Sequence, residues 1–288
     1  MLLKQGESLM RRYALSAICV VCLSSPAFAQ QSAPLPSPIE ADKSITVGLG
    51  VGYLPDYVGS DDYRFIPAGG ARGSIGPVSF ATRSSYLYVD FFPHRAEGID
   101  FDLGPIAGLN FNRTTDIHDK FVDKLPERDM AVEIGGFAGI SLHDLTNPYD
   151  TLSFRLDVKH DVAGAHGSTI ISPNIEFGTP LSRTTYVSAS TSMDFVAAKY
   201  NRYYFGISPA DAVASGLPVY DPDGGMNKWR IGALVNQSIT GDLTHGFSLF
   251  GTVEYSHLTG DAKDSPIVKL RGSSSQWMLA AGAAYTWR

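Results

Sequence analysis

Thiols are nearly absent from this chain. Its 288 residues hold two cysteines, Cys19 and Cys22, both near the N-terminus. They fall inside a segment that reads as a secretory signal. Lys4, Arg11 and Arg12 make the basic start, Tyr13 to Leu23 is apolar, and Ala27-Phe28-Ala29 fits a small-x-small cleavage site before Gln30. Met10, directly before Arg11, offers an alternative start. Cleavage leaves a mature chain with no cysteine, which excludes disulfides, thiolate metal sites and cysteine nucleophiles together. It also removes three positive charges and one negative, taking the formal net charge from -6 to about -8. Long apolar runs are missing too, so no helix is expected to span a bilayer. A basic excess is lacking at pI 5.6, which argues against nucleic acid. The chain has no G-x-S-x-G and no H-E-x-x-H, and its seven histidines are scattered. With 44% hydrophobic residues it is still expected to fold.

What the chain does have is alternation. After a Pro- and Ser-rich lead-in at 30–42, period-two segments recur almost to the end. In 151–160, Leu152, Phe154, Leu156 and Val158 oppose Ser153, Arg155, Asp157 and Lys159. In 185–197, Val187, Ala189, Met193 and Phe195 oppose Tyr186, Ser188, Ser190, Ser192 and Asp194. Segments around Ile99, Trp229 and Phe247 repeat the pattern. The strands read as roughly 12 to 15 residues, against ~5–6 in soluble proteins. One face is apolar and the other carries the charges, with aromatics at strand ends: Trp229, Tyr255, Trp277, Tyr285 and Trp287. This predicts an all-β, transmembrane, antiparallel up-and-down barrel in the outer membrane, with lipid as its immediate partner.

Loop lengths set the strand count. Outer-membrane barrels keep periplasmic turns short and external loops long. Counting back from a last strand at 273–288, the periplasmic turns fall at 241–243, 182–183, 144–150 and 93–97. External connections fall at 259–272, 201–226, 163–167, 113–128 and 54–62. Parity then requires a tight external turn near Arg83-Ser84, splitting 77–92 into two strands. The total is about twelve, with ten as the alternative. The expected division is 1–29 signal peptide, 30–42 periplasmic lead-in and 43–288 barrel. Glu133, Arg155, Asp157, Lys159, Asp194, Arg230 and Glu254 are the expected lumen charges, able to pair across a narrow, partly filled interior.

Local candidates for chemistry have plainer readings. His143-Asp144 and His160-Asp161 are strand neighbours that face opposite ways. His143 is expected at the lumen or rim. Asp61-Asp62 reads as solvated loop charge. Gly48, Gly50 and Gly52 lie in a strand with no following helix, which relieves crowding rather than holding a nucleotide. Residues 213–216 follow a Ser-Pro start and read as one helical turn. No catalytic, cofactor or metal residue is expected.

Three segments resemble one family. The first runs Gly50-Val51-Gly52-Tyr53-Leu54-Pro55-Asp56-Tyr57-Val58-Gly59-Ser60-Asp61-Asp62-Tyr63-Arg64. The second is Tyr204-Phe205-Gly206-Ile207-Ser208, followed by Ala214-Ser215-Gly216-Leu217-Pro218-Val219-Tyr220. The third is Tyr255-Ser256-His257-Leu258-Thr259-Gly260-Asp261-Ala262-Lys263-Asp264-Ser265-Pro266-Ile267-Val268. They are similar to the MipA/OmpV family of outer-membrane proteins. That family usually carries Arg where His257 stands, and it usually ends on an aromatic residue where Arg288 follows Trp287. The resemblance marks Pro55, Tyr57, Gly59, Ser60, Tyr63, Ser215, Gly216, Leu217, Pro218, Gly260, Asp261, Ser265 and Pro266 as motif-loop residues. It implies a non-enzymatic barrel. In one branch of the family it implies a scaffold joining a lytic transglycosylase to a murein synthase in peptidoglycan maintenance; other members are porin-like or adhesive.

Overall fold

In the computed structural model, residues 43–92, 98–114 and 117–288 are described. The expected signal peptide, the lead-in and the turn at 93–97 lie outside them. The described chain forms twelve strands: β1 (Lys43–Pro55), β2 (Tyr63–Ile75), β3 (Val78–Arg83), β4 (Tyr86–Asp90), β5 (Ile99–Asn110) and β6 (Ala131–His143), then β7 (Thr151–Asp161), β8 (Thr169–Pro180), β9 (Thr185–Val196), β10 (Gly225–Ser238), β11 (Gly246–Leu258) and β12 (Ser275–Trp287). Each pairs with its sequence neighbours, and β1 closes on β12, antiparallel, from Ile45 opposite Trp287 to Tyr53 opposite Leu279. Closure leaves the sheet no free end strand.

Twelve strands, rather than ten, follow from the hairpin β3–β4. Its two-residue turn is Ser84-Ser85, with Ser84 at φ 57. The hairpin differs from expectation in length. β3 has six residues and β4 five, while the other strands have 11 to 14. Chain direction matches the loop-length reading throughout.

The alternation sorts the faces. Phe154, Leu156 and Val158 are exposed on the outer wall, while Asp157 and Asp161 are buried inside. An apolar exterior needs lipid, not water. Aromatic clusters mark both of its ends. Near the external end, Tyr255 packs between Trp229 and Trp277 with tilted rings, and Tyr53 stacks on Tyr63 and packs against Phe65. Near the periplasmic end, Tyr285 packs against Phe247 and Trp287. An apolar band between aromatic girdles is the signature of an outer-membrane barrel. Gly48, Gly50 and Gly52 face the lumen. A Cβ on Gly50 would meet the Ala281 carbonyl oxygen at 2.2 Å, so close strand approach demands the glycine there.

The external loops carry four short helices: α1 (Ala198–Phe205), α2 (Pro209–Ser215), α3 (Gly260–Asp264) and α4 (Pro266–Lys269). α2 begins at Ser208, whose side chain accepts from the Asp211 amide while Asp211 reaches back to the Ser208 amide. It ends at Gly216 with φ 77, a left-handed cap. The single turn expected at 213–216 is thus the end of a longer helix.

Candidate functional site: lid and lumen

The motif segments meet at the external mouth and build a lid. Tyr57 from the first loop packs with Val122 and Leu125 from the third, Ile207 and Leu217 from the α1–α2 segment, and Ile267 of α4. A second cluster joins Tyr200, Tyr204 and Phe205 of α1 to Ala262 and Val268, resting on Ile170, Val196 and Leu258 of the wall. Tyr57, Tyr204 and Ile267 are fully buried. Burying such side chains contributes roughly 1.5–3 kcal/mol each, and an antiparallel bridge between Ile207 and Tyr220 adds to the packing.

Polar contacts fix the same loops. The Ser265 hydroxyl donates to the Phe205 carbonyl at 2.7 Å. Ser60 accepts from the Asp62 amide, and the Tyr63 hydroxyl accepts from the Trp277 amide. Asp261 accepts from the Asp223 amide at 2.6 Å, and its carbonyl accepts from Tyr220. Gly59 has φ +105, and a Cβ there would strike Val268 at 2.6 Å. Pro55 stands opposite Tyr63 at the rim. Ser215 and Leu217 are buried, whereas Gly216, Pro218 and Gly260 face solvent; Pro266 is buried at the start of α4. Arg113, at φ 62, is buried and donates to the Tyr204 carbonyl at 2.9 Å. Burial and the nearby Arg128 hold its guanidinium down at about 10. Burial likewise raises the Tyr57 hydroxyl well above the usual phenol range.

Beneath the lid lies a buried carboxylate. Glu133 accepts from the Tyr86 hydroxyl at 2.9 Å, the Asn110 amide at 3.0 Å and His166 Nε2 at 3.2 Å. The Ser168 amide donates to His166 Nδ1. His166 thus sits as the Nε2–H form, wedged against Tyr200 and Tyr204.

The lumen below is crossed by ion pairs. Asp194 takes Arg230 at 2.8 Å, Lys228 at 3.7 Å and the Ser172 hydroxyl at 2.7 Å. Arg155 pairs with Asp157 at 2.7 Å, and Tyr88 donates to the same carboxylate. Lys159 sits 4.1 Å over the Tyr86 ring. Arg83 of β3 reaches Glu176 of β8 at 2.6 Å, across the barrel. Glu254 points inward, opposite Gly232 on β10. His143 lies at the inner rim with Asp100 at 3.1 Å, not with Asp144. Asp61 and Asp62 are exposed.

Sequence reasoning missed Lys228, Glu176, Arg83, Tyr86 and His166. Lys228 shares the parity of Arg230, so its signal was present. Glu176 shares the inward parity of Ser172 and Asn174, opposite Ile171, Pro173 and Ile175, so its signal was present too; the structure adds that pairing of β8 with β9 skips Ser172 and Pro173. His166 sits in a loop and carries no periodic signal. Among the described residues, no His, Cys, Asp or Glu cluster could hold a metal.

No curated protein matches the chain. Among solved structures, it is similar to an outer membrane channel from Pseudomonas putida F1, with 8% identity, TM-score 0.44, and coverage of 92% of this chain and 100% of that one. An anion-selective porin from Comamonas acidovorans shows 10% identity and TM-score 0.34, covering 85% and 98%. The toluene transporter TbuX from Ralstonia pickettii shows 10% identity and TM-score 0.34, covering 86% and 90%. These identities are too low to carry function across. A family model described as MltA-interacting protein MipA matches residues 47–287, from within β1 to the end of β12. The chain belongs to the MipA family.

Proposed function

We propose that this outer-membrane barrel is non-enzymatic and works by contact, as a scaffold for murein enzymes. One observation carries the reading: the barrel is shut at its external mouth. The lid has its own apolar core, and the lumen below is spanned by paired charges. A barrel closed in this way has surfaces to offer rather than a wide conduit. The family description names a partner, MltA. The partners we assign are a lytic transglycosylase and a murein synthase, met at the periplasmic face.

On that face one described turn combines a buried bracing carboxylate with exposed apolar side chains. Asp150 is buried in the turn 144–150 and accepts from the amides of Leu145, Thr146 and Asn147 and from the Thr146 hydroxyl. The turn holds Leu145 and Tyr149 exposed, and Asn147 donates to the Thr179 hydroxyl near the end of β8, just before the exposed Leu181. The experiment is affinity capture from cell envelopes with the full chain. Loss of murein enzymes on Leu145→Ser/Tyr149→Ser, or on deletion of 33–39, supports the reading. Capture unchanged by both removes it.

A second reading, a narrow passive channel, is favoured by the water-exposed side chains of Arg83 and Glu176, at 28% and 20%. Single-channel conductance of folded protein in a planar bilayer distinguishes it.

A further inference from the structure

The barrel wall has a break. β2 pairs with β1 along its full length, Tyr63 to Ile75, but with β3 only from Arg72 to Ile75. The Thr82 hydroxyl ends that ladder, accepting from the Ala71 amide at 2.9 Å and donating to its carbonyl at 3.2 Å. Beyond it, among the described residues, no strand pairs with this edge of β2 from Tyr63 to Gly70. The hairpin apex bounds the gap below, where the Leu109 amide donates to the Ser85 carbonyl. The loops bound it above, where the Val58 amide donates to Asn112 Oδ1 at 3.0 Å.

The sequence fits an edge at this place. In an antiparallel strand, the N–H and C=O of one residue point the same way and alternate along the chain. Those of Ala71 point to β3, so those of Gly69, Pro67 and Phe65 point into the gap. Pro67 has no N–H to leave unpaired there. Unpaired backbone at membrane depth costs several kcal/mol per group in lipid, and is tolerated where it lines a watery cavity. A gap open to the lumen would meet that requirement. Its outer rim is apolar, with Phe65 and Leu87 exposed. Behind it the inward face of β2, β1 and β12 is small and uncharged at the level of the gap: Ala68, Gly70, Gly50, Gly52, Ala280 and Gly282. On the same face of β2, Arg64, paired with Asp56, stands above the gap and the buried Arg72 below it.

We propose that this gap is a lateral portal. Small apolar solutes pass through it between the outer leaflet and the lumen, while the lid keeps the external mouth closed. The proposal is independent of the scaffold reading.

The test uses the chain from residue 30, which has no cysteine. Thr252→Cys places one thiol on the lumen face of β11, in register with Ala280. The protein is reconstituted in phospholipid vesicles, its folding checked by heat-modifiable gel mobility, and exposed to membrane-partitioned pyrenyl maleimide. Labelling is expected, and its loss is expected when Ala68→Trp fills the gap. Gly69→Phe repeats the test from the outer rim without touching the lumen, should the first variant fail to fold. Absence of labelling in the unfilled protein, or labelling unchanged by a folded filling variant, overturns the proposal.

Discussion

The side-chain amide of Gln276 clamps the backbone of Gly59. Gln276 Oε1 accepts from the Gly59 amide at 3.0 Å, and Nε2 donates to the carbonyls of Ser60 at 2.8 Å and Tyr57 at 3.2 Å. One side chain on β12 thus satisfies three buried groups of the first external loop. Gln276→Leu keeps the volume and orphans the Gly59 amide and the Ser60 carbonyl, while the Tyr57 carbonyl keeps the Ser60 amide at 2.9 Å. A buried unsatisfied group costs about 1–3 kcal/mol. The lid is expected to loosen while the barrel stays folded, read as faster proteolysis within 56–62 at unchanged strand content. Cleavage at the wild-type rate would show that apolar packing alone holds the loop.

Asp194 is the hub of the lumen. Removing its carboxylate with Asp194→Ala takes from Arg230 and Lys228 the anion they share at 2.8 and 3.7 Å and leaves them only their other partners, Glu254 among them. Breaking a buried pair in this way costs about 3–5 kcal/mol. Asp194→Leu/Arg230→Met removes both partners and is expected to cost less than the sum of the two single changes, because contacting residues are not additive. Denaturant unfolding in detergent micelles checks the ordering. An additive cycle would place the energy in packing rather than in the pair.

Glu133 predicts local loosening rather than global loss. Its three donors come from β4, from β5 and from the loop after β7, so Glu133→Leu strands Tyr86, Asn110 and His166 together. Hydrogen exchange across 162–168 is expected to accelerate, with the periplasmic ends of β6 and β7 unchanged. Acceleration spread over the whole barrel would contradict a role confined to the lid floor.

The barrel itself was legible because its physics is periodic. A strand between lipid and lumen must alternate, and Phe154, Arg155, Leu156, Asp157 and Val158 do so. Loop length then gave direction, and parity forced the β3–β4 hairpin that periodicity alone left doubtful. The lid was legible only as composition. Gly59 and Gly216 announce special backbone angles, but nothing local says that Tyr57 meets Ile267, 210 positions away in the sequence. The short ladder of β2 with β3 was invisible for the same reason: pairing length is set between strands, not within one.

Acid should open the lid through Asp119. This carboxylate, in the loop between β5 and β6, binds Arg271 in the loop before β12. Burial pushes its pKa up, but the Arg271 hydrogen bonds and the Val122 and Phe121 amides outweigh burial, and the net value lies below the usual one. A depressed folded value means stability present above the unfolded carboxylate range, about 3.9, and lost as pH falls through the folded value. Between neutral pH and about 5 the contact is therefore expected to be constant. Further acidification should raise exchange in 117–128 and 259–274, and Asp119→Asn should show the raised level already at pH 7 with no further response from this pair. An acid response equal in wild type and Asp119→Asn would assign the loosening to other groups.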